Sequence, residues 1–71
     1  MKNGTFSYYE NFAIRYHESG EDLRRRSREH WQRIHAENVK SGREDLIGFS
    51  ARHLAEMAMI DAGRFADCFG A

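Results

Sequence analysis

The sequence predicts an all-α protein: a small three-helix bundle, with a short aromatic helix, a long charged helix and a long apolar helix, completed by homodimerisation. Three observations predict it. The chain has no proline, the residue that most readily breaks a helix. From Ser41 to Phe65 it reads SGREDLIGFSARHLAEMAMIDAGRF, with apolar residues recurring at steps of three and four, the period of one helical face. Ser7, Ser19 and Ser41 are each followed three residues later by an acid, Glu10, Asp22 and Glu44. That is capping-box spacing: the serine oxygen accepts a bond from a first-turn amide and the acid reaches back to the cap's own amide. Helices are therefore expected at about residues 7–18, 21–40 and 43–62 of one domain, with 63–71 as a short apolar tail.

In the first helix, Phe6, Tyr9, Phe12, Ala13 and Tyr16 fall on one face. Such a stripe predicts core packing. Base stacking would need basic residues interleaved with the rings, and only Arg15 is available. The second helix is thin in apolar residues. Leu23, Ser27, Trp31, Ile34 and Asn38 trace a narrow seam with Trp31 as its large anchor. The third helix carries Ile47, Ala51, Leu54, Ala58, Ala62 and Phe65 on one face, with Leu46, Ser50, Met57 and Ile60 on a neighbouring strip. That arc is wider than one thin partner helix covers, so the excess is expected to meet another molecule. Gly48 interrupts it at a cost of roughly 1 kcal/mol against alanine, which suggests close approach of a second backbone. The tail, with Phe65, Cys68 and Phe69, is apolar enough to fold back or enter a partner's groove.

A chain of 71 residues lies near the lower limit for a self-sufficient core, and domains this small lean on staples or partners. One cysteine cannot form an internal disulfide, and no Cys/His spacing suits structural zinc. Self-association is the expected support. Lys plus Arg and Asp plus Glu each number 11, so no net field draws the chain to nucleic acid or membrane. No stretch is long and apolar enough to span a bilayer, and the start MKNGTFSYYE lacks a signal-peptide pattern. With the lone Cys68, this predicts a cytoplasmic protein.

The most visible charged feature is Arg24-Arg25-Arg26-Ser27-Arg28, with Arg33 beyond it. Most of these arginines are expected in a ladder of exposed ion pairs at i,i+4, from Glu21–Arg25 to Arg33–Glu37. Arg24 and Arg28 have only Glu21 nearby at helical spacing, which makes their strip the candidate for an acidic partner. Arg24, Arg25, Arg28 and Arg33 thus define an alternative function as a small nucleic-acid-binding regulator. A helix-turn-helix centred on Gly42 fits poorly, because Asn38 and Gly48 would stand where a small residue and a branched apolar one belong. His17, His30, His35 and His53 include no pair at the three- or four-residue spacing of a helical metal site. No phosphate loop or nucleophile elbow occurs. The expectation is a non-enzyme with no cofactor, no metal, no membrane partner and no small-molecule substrate.

Ala55-Glu56-Met57-Ala58, followed by Ile60-Asp61-Ala62-Gly63-Arg64-Phe65-Ala66-Asp67, resembles the toxin-binding tail of CcdA-type antitoxins, a helix followed by Gly-x-Phe-Ala-Asp. The resemblance implies that this end of the chain engages a protein. The N-terminal part has no counterpart to the strand through which ribbon-helix-helix antitoxins dimerise on DNA. The leading expectation is a non-catalytic protein-protein interaction module, acting through Trp31, Met57, Met59, Phe65 and Phe69, because aromatics favour hot spots and methionines adapt to irregular surfaces.

Overall fold

A computed structural model describes residues 7–69, with Phe69 described by its backbone alone. It is all-helical, and among the described residues there is no strand: α1 is Tyr8–Glu18, α2 is Glu21–Ser41 and α3 is Glu44–Asp61, followed by a 3₁₀ helix over Phe65–Phe69. Phe6, expected in the aromatic stripe, lies outside the described residues.

One of the three capping boxes forms. Ser7 Oγ accepts from the Glu10 amide at 3.2 Å, and the Ser7 amide donates to Glu10 Oε1 at 2.9 Å. Ser19 instead closes α1 from the other side, its hydroxyl donating to the Arg15 carbonyl at 2.7 Å, and Gly20 is the N-cap of α2. Ser41 is the last residue of α2 and donates to the Asn38 carbonyl at 2.9 Å, leaving Arg43 as the N-cap of α3. A serine hydroxyl bonds a carbonyl three or four residues back as readily as a forward amide, so serine near an acid marks a helix joint without fixing its side. Gly42 makes the turn between α2 and α3. Its φ of 74° is left-handed, and its amide reaches the carbonyls of Asn38 and Val39 at 3.1 and 3.2 Å, the helix stop that glycine serves best.

The buried apolar residues are Ala13 and Tyr16 of α1 with Met57 and Ile60 of α3. Phe12, Trp31, Leu54, Phe65 and Cys68 pack around them half-buried. The long charged helix buries none of its residues and leaves Leu23 and Val39 more than half exposed.

The inward face of α3 differs from the one its apolar periodicity marks. Ser50, His53, Glu56, Met57 and Ile60 point in, while Ala51, Ala58 and Ala62 are exposed. An alanine methyl removes little apolar surface from water, and the methionine and isoleucine side chains remove far more. The large residues therefore decide the rotation of the helix. Gly48 is also outward, and a methyl built on it would meet nothing within 4 Å.

Candidate functional site

Three side-chain clusters hold the helices together, and each contains a polar group. The first is an aromatic box around His53. Trp31 of α2 lies nearly parallel to the imidazole, with centroids 4.0 Å apart. From α1, Phe12 stands edge-on at 4.2 Å, with Tyr9 at 5.4 Å and Tyr8 at 5.5 Å. Phe49, one turn earlier on α3, closes the box at 4.8 Å. His53 is fully buried, and neither ring nitrogen has a hydrogen-bond partner among the described residues. Burial holds its pKa below the ordinary imidazole value, and the neighbouring Arg52 charge pushes the same way.

Arg52 ties the box to a buried acid, Glu56. Its guanidinium lies 3.8 Å above the Tyr9 ring, a cation–π contact, and its Nε is 3.4 Å from Glu56 Oε2. The other Glu56 oxygen is buried without a hydrogen-bond partner. Burial raises the Glu56 carboxyl pKa, with Arg52 partly countering through its bond and charge.

The second cluster gathers around Asp61, at the C-terminal end of α3. Tyr16 donates its hydroxyl to the carboxylate, with 2.8 and 2.9 Å to the two oxygens, and accepts from Arg28 Nη1 at 2.9 Å. Arg28 also reaches Asp61 Oδ2 at 2.9 Å, Arg24 Nε stands 4.0 Å from Oδ1, and Arg24 donates through Nη1 to the Ser19 carbonyl. Burial raises the Tyr16 pKa, with the Arg28 bond lowering it and Asp61 raising it. A cleft of about 430 Å³ opens here, lined by His17, Glu21, Arg24, Arg28, Ile60 and Asp61.

The third cluster clamps α2 to α3 beside their turn. Asn38 Nδ2 donates to the Leu46 carbonyl at 3.0 Å and to Ser50 Oγ at 3.1 Å, while His35 Nδ1 lies 2.7 Å from the same oxygen. Ser50 is fully buried and also donates within its own helix. A serine so enclosed packs between the two helices. Burial, followed by the charges of Glu56 and Asp67, raises the Cys68 thiol pKa.

The residues singled out in the sequence therefore scatter. Met57 is fully buried in the core. Trp31 is half-buried and faces His53. Phe65 stacks on His17 at 4.0 Å, which turns the start of the tail back onto α1. Met59 is half-buried, and the Phe69 side chain falls outside the described structure. The arginines divide into two groups. Arg24 and Arg28 turn inward to Asp61, an acid far along the chain that helical spacing could not disclose. Arg25 and Arg33 remain exposed on the outer face of α2. The i,i+4 ladder along α2 is replaced, among the described residues, by one ion pair within the helix, Asp22–Arg25 at 3.4 Å. Long exposed side chains gain too little from such pairs to be held in place.

His53, Asp61 and Tyr16 organise the molecule, yet their roles escape periodicity because most of their partners lie on other helices. No group of acids, histidines and cysteine among the described residues has the arrangement of a metal site, and no described helix is long and apolar enough to cross a membrane. No family model, curated protein or solved structure matches the chain. The likeness of Ala55–Asp67 to antitoxin tails rests on those residues alone.

One feature of the surface is as ordered as the clusters beneath it. Gly48, Ala51, Ala55, Ala58 and Ala62 are spaced by three, four, three and four, and all five are exposed. Beside them a groove of about 550 Å³ runs between α2 and α3, lined by Leu54, Ala58, Ala62 and Gln32, with Arg28 and Asp61 at one end.

Proposed function

We propose that this protein is a non-catalytic interaction module that acts by binding, and that a second copy of the chain covers the outward face of α3. One observation carries the reading: the most apolar helix exposes a continuous line of Gly48, Ala51, Ala55, Ala58 and Ala62. A mean step of three and a half residues is the seam of a coiled coil. Small side chains along it bring two helix axes towards the near end of the ~8–10 Å packing range.

Charge favours a twin in antiparallel orientation. Centred on Ala55, such a pair sets the end of α3 that leads to the exposed Arg64 in one copy beside the end that carries Glu44 and Asp45 in the other. The helix dipoles then also lie antiparallel, the positive end of each beside the negative end of the other. The existing pairs Arg64–Asp67 and Arg43–Asp45 are exposed and hold these groups only weakly. Met59, next to the line, is an anchor at its edge.

The nucleic-acid alternative draws less support. Arg24 and Arg28 are engaged with Asp61, and the exposed Arg25 and Arg33 alternate with Asp22, Glu29 and Glu37 on the outer face of α2. A mixed surface of this kind gives a phosphate backbone no continuous positive track.

Sedimentation velocity at micromolar concentration tests the reading. The unmodified chain should sediment as a dimer, and Ala55→Glu should sediment as a monomer with unchanged helix content. A monomeric unmodified chain, or a dimer indifferent to the substitution, would overturn it.

A further inference from the structure

We propose that His53 is an acid-operated latch, whose protonation releases α1 from the α2–α3 hairpin. The inference is independent of what covers the outer face of α3. The geometry is that of a ring held only in its neutral form. His53 has no exposed surface, no acceptor for either N–H of an imidazolium among the described residues, and five aromatic rings around it. An ion there loses its hydration and gains only ring faces, chiefly Trp31, in return.

Helix α1 is the element that yields. It is held by Tyr8, Tyr9 and Phe12 on His53, by Tyr16 on Asp61 and Arg28, and by His17 on Phe65 of the tail. The hairpin has the Gly42 turn and the Asn38–Ser50 clamp of its own. An 11-residue helix is too short to persist undocked, so release also melts it.

The groups around the latch act in both directions. From α1 the neighbours are the phenols of Tyr8 and Tyr9, and from α2 the indole of Trp31, with His30 edge-on to it at 5.9 Å. From α3, Arg52 opposes a second positive charge. Glu56, one turn along, favours the folded chain as it takes up a proton and so works against the latch at lower pH. The sign for His53 follows from its lowered pKa. Docking is fully favoured above the ordinary imidazole value near ~6.5 and is lost as pH falls through it towards the depressed docked value.

Amide hydrogen exchange between pH 7.5 and 5, corrected for intrinsic rates, tests the latch, with carbon-13 shifts of the four histidine rings recorded alongside. Protection of the α1 amides should fall by up to about tenfold per pH unit below ~6.5, while α2 and α3 near Gly42 keep theirs. His53→Phe, which fills the box without titrating, should abolish the acid-induced loss of α1 protection over that range. The proposal fails if His53→Phe opens with acid as the unmodified chain does. It fails equally if the His53 ring of the unmodified chain charges at the ordinary value while α1 stays protected, a result that needs no variant to fold.

Discussion

The two faces of α3 are built by opposite rules. The inward face takes Ser50, His53 and Glu56 into the protein together with Met57 and Ile60, while the outward face leaves Gly48, Ala51, Ala55, Ala58 and Ala62 in water. Polarity alone would assign them the other way round. What separates them is size and partnership. Met57 and Ile60 carry enough apolar surface to anchor a helix. Ser50 has Asn38 and His35 as partners across the helix pair, and His53 has five aromatic rings. The alanines offer a smooth surface but little area, too little to set the rotation of the helix.

The contrast is broken most severely at Met57. Its side chain is fully buried at the meeting of all the packed elements, and Met57→Ala leaves a cavity that a chain this short can only partly close. Thermal or urea unfolding should show a loss of about 2–5 kcal/mol, enough to unfold much of the population in a domain with so small a core. An equally drastic change outward, Ala55→Glu, should leave unfolding of the monomer within about 0.5 kcal/mol and alter only association.

That asymmetry shows what can be read from the residues in advance. The all-helical class follows from the three- and four-residue steps, the absence of proline and the Ser7–Glu10 box, all of them local. The rotation of α3 does not follow, because it depends on which side chains find partners on α1 and α2. Asp61 illustrates the point: it stands 33 residues from Arg28 and looks like one more acid at a helix end. Tyr16 looks like one more ring in a stripe, although its hydroxyl links α1 to both other helices. Ser19 and Ser41 carry the same pattern as Ser7, but each bonds backwards. Local pattern thus discloses the helices, and only long-range pairing discloses the clusters between them.

The inward face has a weak point of its own in Glu56, and removing it sharpens the comparison. Its folded-state carboxyl pKa is raised, chiefly by burial, so the folded chain holds a proton more readily than the unfolded one. The stabilisation that proton brings is present at low pH and is lost as pH rises through the raised value. At neutral pH the buried carboxylate is therefore a cost, only partly offset by the half-exposed Arg52. Glu56→Leu should stabilise the protein by about 1 kcal/mol at pH 7, and its unfolding should lose the acid-side gain that Glu56 supplies. A loss of stability at pH 7 would mean that the Arg52–Glu56 pair holds more than its 3.4 Å separation suggests.

The smallest change discriminates most finely, because it should move two measurements in opposite directions. Gly48 is an ordinary right-handed helical residue with open space around the position of a Cβ. In the monomer, Gly48→Ala should add roughly 0.5–1 kcal/mol by restricting the unfolded backbone and favouring the helix. If a second α3 lies against this line at close range, the added methyl stands between two backbones and weakens association. Unfolding measured at high dilution should therefore shift upwards while the dimer dissociation constant rises several-fold. Gains in both would place the neighbouring helix elsewhere on α3, and would leave the glycine as a flaw in the helix with no packing reason behind it.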